Sequence, residues 1–348
     1  MRHRFEQLLA SLPEDLDGVY IASPENRLYY TGFHSSAGVL LITRAESVFF
    51  IDSRYIEAAQ NRISGCKIVL QEKLMEQISD FCKREGIRRL AVEARRMVYA
   101  DVEQLREKLE GVEIAADSRA DDCIEKQRMV KSAQEIGCIR QAQGIAERAF
   151  EELLQNIRPG MTEREIALTL EYSMLSKGAQ GISFETIAVS GANSSMPHGV
   201  PTGKKVEDGD FITLDFGAVY QGYHSDMTRT VAVGKVSEKQ RLVYQTVLAA
   251  QQSAIDIAAA GLACASVDEA ARSVISAAGY GDFFRHSTGH GVGIEIHEAP
   301  NLSPSSSVIL EPGIYLPGEF GVRIEDMLLI TADGVENLTK TPKELLVL

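Results

Sequence analysis

Residues 307–326, SVILEPGIYLPGEFGVRIED, set two carboxylates into runs that otherwise read as buried strands. Glu311 follows Val308-Ile309-Leu310, and Glu325 closes Val322-Arg323-Ile324-Glu325, fourteen positions further on. A carboxylate withdrawn from water is costly unless something compensates it. Whatever fold the chain adopts has to supply compensation for both.

The rest of the composition limits where that compensation comes from. At 348 residues, 45% apolar and 24% charged, the chain has the make-up of a soluble globular protein of one large domain or two ordinary ones. A net charge of −13 argues against general affinity for nucleic acid, which needs basic surface. Part of that acidic excess is accounted for if carboxylates gather around cations. Five cysteines (66, 82, 123, 138, 264) with no CxxC pair suggest neither a disulfide framework nor a zinc ribbon, so a reduced, cytoplasmic setting is expected. The N-terminus, MRHRFEQLLASLPEDL, lacks a signal-peptide core, and no apolar run approaches membrane-spanning length, so no membrane association is expected.

Two patterns succeed each other along the chain. Up to about residue 118, GVYIA (18–22), GVLLIT (38–43), VFFID (48–52), KIVLQ (67–71), LAVEA (90–94) and VEIAA (112–116) read as strands, with amphipathic stretches between several of them. That rhythm predicts an α/β layer with its own core. From 119 to 157 apolar residues recur at three-to-four spacing, a helical pattern ended by Arg158-Pro159-Gly160. Thr162-Glu163-Arg164-Glu165 is then a capping box opening another helix. Helices are predicted again at 237–260 and 266–278, among strands rich in glycine turns. The boundary is a change of pattern near residue 120, giving domains of 1–120 and 121–348.

The second domain holds the candidate chemistry. In ITLDFGAVYQGYHSDMTRTVAV (212–233), β-formers flank Tyr220-Gln221-Gly222 and predict a hairpin. A loop of Tyr220-Gln221, or of Val219 to Gly222, would set Asp215 directly opposite Asp226. Like charges so placed destabilise a strand pair. The pair therefore reads either as a cation site or as two solvated aspartates near a turn. Five of seven histidines lie between 198 and 297. His286, His290 and His297 fall within twelve residues of glycine-rich chain, which is not core filling, although the spacing does not say which of them binds metal. His198 sits in a Pro/Gly-bounded loop, SSMPHGVP. Two aspartates, two glutamates and one histidine form an oxygen-dominated set that suits Mn²⁺ or a similar divalent ion better than a structural zinc. Such a set can hold two metals roughly 3.5–4 Å apart around one water.

SPENRLYYTGF (23–33), FIDSRY (50–55), VSGANSSMPHG (189–199), LDFGAVYQGYHSDMTRT (214–230), HSTGHGVGIEIHEAP (286–300), LEPGIY (310–315) and GVRIED (321–326) together resemble the Xaa-Pro peptidases, the aminopeptidase P and prolidase group of pita-bread metallopeptidases. The resemblance spans essentially the whole chain. It implies an α/β (α+β) protein with a smaller creatinase/prolidase-like N-terminal domain and a C-terminal pita-bread catalytic domain. It also implies hydrolysis of the bond preceding proline by a hydroxide bridging two metal ions, most often Mn²⁺, with Co²⁺ or Zn²⁺ as alternatives. Carried over by motif, Asp215, Asp226, His290, Glu311 and Glu325 become the metal ligands. His198 and His297 hold the substrate and stabilise the tetrahedral intermediate, Glu311 shuttles the proton, and Phe184 and Ile187 line the proline pocket. His286 lies nearby, and Arg323 stands behind the ligating carboxylates. Small peptides with proline second are the implied substrates, and a homodimer the implied assembly.

One departure bears on the first feature. Relatives carry two glutamate-proline-glycine units in tandem, whereas SSSVILEPGIY has one, leaving the stretch between His290 and Gly313 short. If Val308-Ile309-Leu310 replaces the missing strand, the ligand set survives. If Glu311 is displaced, the alternative is a non-catalytic relative that uses the fold for binding. Creatinase-like, metal-free chemistry is disfavoured because all five ligands are nominally present.

Overall fold

The computed structural model describes residues 2–300, 308–332 and 334–348. It divides into two compact units, Met1–Arg128 and Met129–Leu348.

The first unit runs α1 (Arg2–Ser11), β1 (Gly18–Ile21), α2 (Pro24–Thr31), β2 (Val39–Thr43), β3 (Val48–Ile51), α3 (Ile56–Arg62), β4 (Lys67–Leu70), α4 (Leu74–Glu85), β5 (Arg89–Val92), α5 (Tyr99–Lys108), β6 (Glu113–Ala115) and α6 (Arg119–Met129). All six apolar runs become strands of one sheet, ordered β4-β3-β2-β1-β5-β6. The β1, β2 and β3 strands pair antiparallel, while β4, β5 and β6 join in parallel. Strands β1 to β3 are buried on both faces, which is why they read as continuous apolar runs instead of alternating ones. Ile78 and Phe81 of α4 and Val102 and Leu105 of α5 cover one face against Tyr20, Leu41 and Phe50.

The helical stretch read from 119 to 157 is two helices, α6 and α7 (Ala133–Leu154). Ser132 interrupts it as the N-cap of α7: its hydroxyl accepts from the Glu135 N–H, and the Glu135 carboxylate accepts from the Ser132 N–H at 2.8 Å. The capping box at Thr162 opens α8 (Glu163–Ser176) as expected.

Next come β7 (Gly181–Ile182), β8 (Ile187–Ser190), β9 (Phe211–Phe216), β10 (Ala218–Tyr220), β11 (Tyr223–His224), β12 (Met227–Ala232), α9 (Glu238–Ile257) and α10 (Cys264–Ala277). The chain closes with β13 (Val308–Leu310), β14 (Gly313–Leu316), β15 (Phe320–Arg323), β16 (Asp326–Thr331) and β17 (Gly334–Asn337). Two long interrupted hairpins organise these strands. In the first, β9-β10 returns as β11-β12 in one register, from Phe211↔Ala232 to Tyr220↔Tyr223. Its turn is Gln221-Gly222, both at positive φ (50° and 79°). A two-residue turn that matches strand twist needs positive φ at both central positions. Gly222 meets that demand, and a turn at Tyr220-Gln221 would leave it unused. The register expected from sequence is thereby corrected: Asp215 faces Thr228, and Asp226 falls opposite Gly217, where the ladder is broken. A Cβ on Gly217 would lie 1.9 Å from the Ser225 carbonyl oxygen, so the strands close at this break only around a glycine.

The second hairpin, β13-β14 against β15-β16, also keeps one register, from Val308↔Leu328 through Gly313↔Arg323 to Leu316↔Phe320. Its break falls at Glu311-Pro312 and Ile324-Glu325. Proline has no N–H to continue a ladder, and the neighbouring donors turn elsewhere: Glu311 N–H to the Thr288 carbonyl (2.7 Å), Glu325 N–H to the Thr228 carbonyl (3.1 Å). Extending the register across the break sets Glu311 opposite Glu325. Alternation along β9 sends Leu214 and Phe216 into the core beneath α7 and α8, with the Phe216 ring stacked on Phe150 at 5.7 Å. Phe211 faces the other way, onto Phe320 of β15. Asp215 shares Phe211's side of the strand, so both hairpin breaks present their carboxylates to a common space.

Candidate metal centre

That space is a cavity of about 320 Å³. Asp226, His290 and Glu325 each offer one ligand atom, and these atoms lie within 4.8 Å of one another. All three residues are buried, Glu325 at 1% exposure. His290 Nδ1 donates to the Gly291 carbonyl at 2.9 Å, which leaves Nε2 as a bare lone pair 3.6 Å from Asp226 Oδ2. Burial also holds this imidazole down at about 4, so it is neutral near pH 7 and does not form an ion pair with Asp226. A ring-nitrogen lone pair facing a carboxylate oxygen at 3.6 Å fits a cation held between them. Two buried oxygens without any partner, Asp215 Oδ1 and Asp226 Oδ1, point to the same conclusion. Burial, then the charges of neighbouring carboxylates, push Asp226 and Glu325 well above the usual carboxylate range. Glu311 is raised to about 7 by burial and the nearby Asp215 charge, against the opposing pull of Arg323. A hard divalent ion is the compensation such a cluster demands, and this donor set is of the kind that binds one.

Behind the carboxylates, the Arg323 guanidinium is 3% exposed and bonded on every side. Nη2 donates to Asp215 Oδ2 (2.5 Å), Nε to Thr228 Oγ1 (3.0 Å), and Nη1 to the Tyr315 hydroxyl (2.8 Å) and the Pro197 carbonyl (3.2 Å). Thr228, paired across the hairpin from Asp215, donates its hydroxyl hydrogen bond to Glu325 Oε2 at 2.5 Å. Tyr315 in turn sits 3.1 Å from His286 Nε2, while His286 Nδ1 faces the Ser287 carbonyl at 2.8 Å. That carbonyl fixes the proton on Nδ1, so Tyr315 donates to Nε2. The imidazole is neutral, held at about 4 by burial with the Arg323 charge adding to the effect. Its folded value lies below the ordinary one of about 6.5, so its contribution to stability is complete above pH 6.5 and is lost as pH falls from about 6.5 towards 4. His286→Gln is expected to flatten the pH dependence of unfolding free energy in that window by on the order of 3 kcal/mol relative to wild type. Urea titrations of both proteins at pH 4, 5, 6 and 7 measure it, and parallel curves would refute the assignment.

Nine of the residues singled out from sequence line the cavity: Phe184, Ile187, His198, Asp215, Asp226, His290, His297, Glu311 and Glu325. Asp215 and Glu311 border it but stand outside the three-ligand cluster, Asp215 with one oxygen held by Arg323. His286 and Arg323 lie behind the wall. Glu311 keeps its place despite the shortened segment because Val308–Leu310 forms a strand on β16; residues 301–307 themselves lie outside the described residues. The sequence reading missed Thr228, Tyr315 and the pairing of Lys131 with Glu298 (2.9 Å, side chains 2% and 7% exposed), next to His297. Thr228 had a signal in period-two spacing from Asp226; Lys131 had none, since its partner is 167 positions away in the chain.

Comparison with known proteins agrees with this geometry. Residues 137–332 match the model of metallopeptidase family M24, and residues 4–130 match that of the creatinase/prolidase N-terminal domain. A Xaa-Pro dipeptidase of Pyrococcus furiosus is 38% identical over 99% of this chain and 100% of its own length. Among solved structures, a Xaa-Pro dipeptidase from Bacillus anthracis superposes with a TM-score of 0.95 at 40% identity, covering 99% of both chains. An X-Pro aminopeptidase from Thermotoga maritima gives 0.92 at 36%, covering 99% of this chain and 100% of its own. Family M24 implies divalent metal ions, and among the described residues no helix is long and apolar enough to cross a membrane. Whole-length likeness in both domains, on top of buried carboxylates converging with a neutral histidine, makes this chain a metallopeptidase of family M24, in its Xaa-Pro peptidase group.

Proposed function

We propose that the protein hydrolyses the peptide bond preceding a proline at the second position of small peptides, with Asp215, Asp226, His290, Glu311 and Glu325 holding two divalent cations, Mn²⁺ by preference. The observation that carries this reading is the unprotonated Nε2 of His290 facing the Asp226 carboxylate inside a cavity whose wall also bears His198, His297, Phe184 and Ile187. When bound, the cations supply a nucleophilic water at neutral pH and polarise the scissile carbonyl.

The chain's own residues do the rest. Phe184 and Ile187 offer apolar wall to the proline ring, which has no N–H to satisfy. His198 and His297 hold the substrate and donate to the oxygen on which charge develops. Glu311, whose carboxyl burial raises to about 7, accepts and returns the proton. Arg323 donates to Asp215 Oδ2 and so aims its other oxygen at the cavity. A non-catalytic relative is the second reading, and the position of Glu311 on the cavity wall weighs against it.

Purified protein given Mn²⁺ is expected to bind metal and cleave a Xaa-Pro dipeptide, a longer Xaa-Pro peptide, or both, while sparing matched Xaa-Ala peptides. The relative rates on the two proline substrates assign dipeptidase or aminopeptidase character. Metal content near zero with neither substrate cleaved would sink the enzyme reading. We further propose a homodimer, for which light scattering on the same preparation should give twice the chain mass.

A further inference from the structure

The Glu163 carboxylate is fully buried, 0% exposed, and is not part of the cavity lining. It is the first residue of α8 and the second of the capping box, yet the capping hydrogen bonds belong to Thr162 and Glu165. Its own two oxygens collect five donors. Oε1 accepts from the Ser190 N–H (2.7 Å), the Ser190 hydroxyl (3.1 Å) and Asn193 Nδ2 (3.0 Å). Oε2 accepts from Asn193 Nδ2 (3.1 Å), the Thr202 N–H (3.0 Å) and the Thr202 hydroxyl (2.6 Å). Ser190 ends β8 and Thr202 lies twelve residues later. The segment between them carries His198, which is exposed on its loop and lines the cavity.

From this we infer that Glu163 is a positioning residue: one buried carboxylate fastens both ends of the 190–202 loop and so sets where His198 stands over the cavity. The clamp needs an anion with acceptors on both oxygens. The backbone of α8 adds to it, since the Glu163 and Arg164 N–H groups donate to the Lys204 and Thr202 carbonyls. Burial of the carboxylate is offset by those five donors and by its place in the first helical turn, where the peptide dipoles favour negative charge. Its pKa is lowered in spite of burial, through the bonds from Thr202, Ser190 and Asn193. On the far side the loop rests on the second hairpin, with Gly321 N–H donating to Ser194 Oγ at 2.9 Å. A Cβ on Gly321 would come 2.1 Å from the Ser194 carbonyl oxygen. Loss of the Glu163 clamp would free the loop's two ends while leaving that middle contact in place.

The inference rests on the proposed role of His198, and its test keeps the two apart. Glu163→Gln preserves shape but turns an NH₂ group towards the Ser190 or Thr202 donors. The variant is expected to lose roughly tenfold or more in kcat/KM on a Xaa-Pro peptide, with metal content unchanged. In a His198→Ala background the same substitution should change kcat/KM by less than about twofold, because the group it positions is gone. Amide hydrogen exchange of the 190–202 segment should rise in Glu163→Gln whether or not the enzyme turns over. If Glu163→Gln does not fold, Thr202→Val removes a single donor and should show the same coupling at about threefold. Equal losses with and without His198, or activity and exchange both at wild-type level, would overturn the inference. A wild-type chain that binds metal yet cleaves no Xaa-Pro peptide, with exchange still raised in Glu163→Gln, would overturn the functional reading and leave the clamp standing.

Discussion

Replacing Asp226 by Asn or Glu325 by Gln is expected to lower kcat/KM by roughly 10³-fold or more, since a Lewis-acidic metal contributes several kcal/mol of transition-state stabilisation. Both residues belong to the cluster whose ligand atoms fall within 4.8 Å, and both are buried to within a few per cent. Each replacement is nearly isosteric, so the loss would report charge and ligation rather than shape. The stability of the metal-free protein should move the opposite way. Without a cation, Asp226 and Glu325 repel each other and lie well above the usual carboxylate range, chiefly through burial. Asp226→Asn removes one of the two crowded, buried carboxyls and should leave the thermal midpoint of the chelated protein equal to wild type or higher. Adding Mn²⁺ should then raise the midpoint of wild type but not of the variant, because only a folded state that binds the ion gains from it. Metal analysis with melting curves, with and without chelator, checks both halves. A variant that retains metal and activity would remove Asp226 from the centre.

The second large effect is expected at Arg323. Arg323→Met leaves Asp215, its side chain 13% exposed, without its partner; unpairing one member of a fully buried ion pair costs about 3–5 kcal/mol, which sets the upper end of the expected loss. The guanidinium bridges Asp215, Thr228, Tyr315 and the Pro197 carbonyl at once. Arg323→Lys keeps the charge but not the fork, and a point donor cannot reach all four. We expect the Lys variant to fold with a smaller loss of stability and to bind metal about 10–100-fold more weakly, as is typical when support behind ligands is lost. Chemical denaturation and metal titration separate the two. Wild-type metal affinity in Arg323→Lys would show that Thr228 and the strand register suffice to aim Asp215.

Much of this is legible in the sequence. The strands of the first unit followed from apolar runs because β1 to β3 are buried on both faces, and the capping box at Thr162 was local chemistry. The helix break at 130–132 was also encoded, by Ser132 and Glu135, but the apolar repeat running through it hid the cap. The hairpin register was not recoverable in the same way. Turns two residues apart fit the strand pattern equally well, and only the positive φ at Gln221 and Gly222 selects the one that sets Asp215 against Thr228. Glu311 is the clearest contrast. Its sequence neighbourhood was compatible with two placements, and pairing of Val308–Leu310 with β16 decided in favour of the cavity wall.

The sequence by itself determined the chemistry on offer: which residue types could serve a hard cation, and that Glu311 and Glu325 needed compensation inside apolar strands. Periodicity and side-chain type are local properties, so they survive in a one-dimensional reading. Tertiary structure alone decided convergence. It broke two hairpins at matching points, turned Asp226 and Glu325 into one buried cluster, and set Arg323, Thr228 and Glu163 to hold groups up to 126 positions away. Those contacts depend on register and on hydrogen bonds across long loops, whose energies exist only once the chain has closed them.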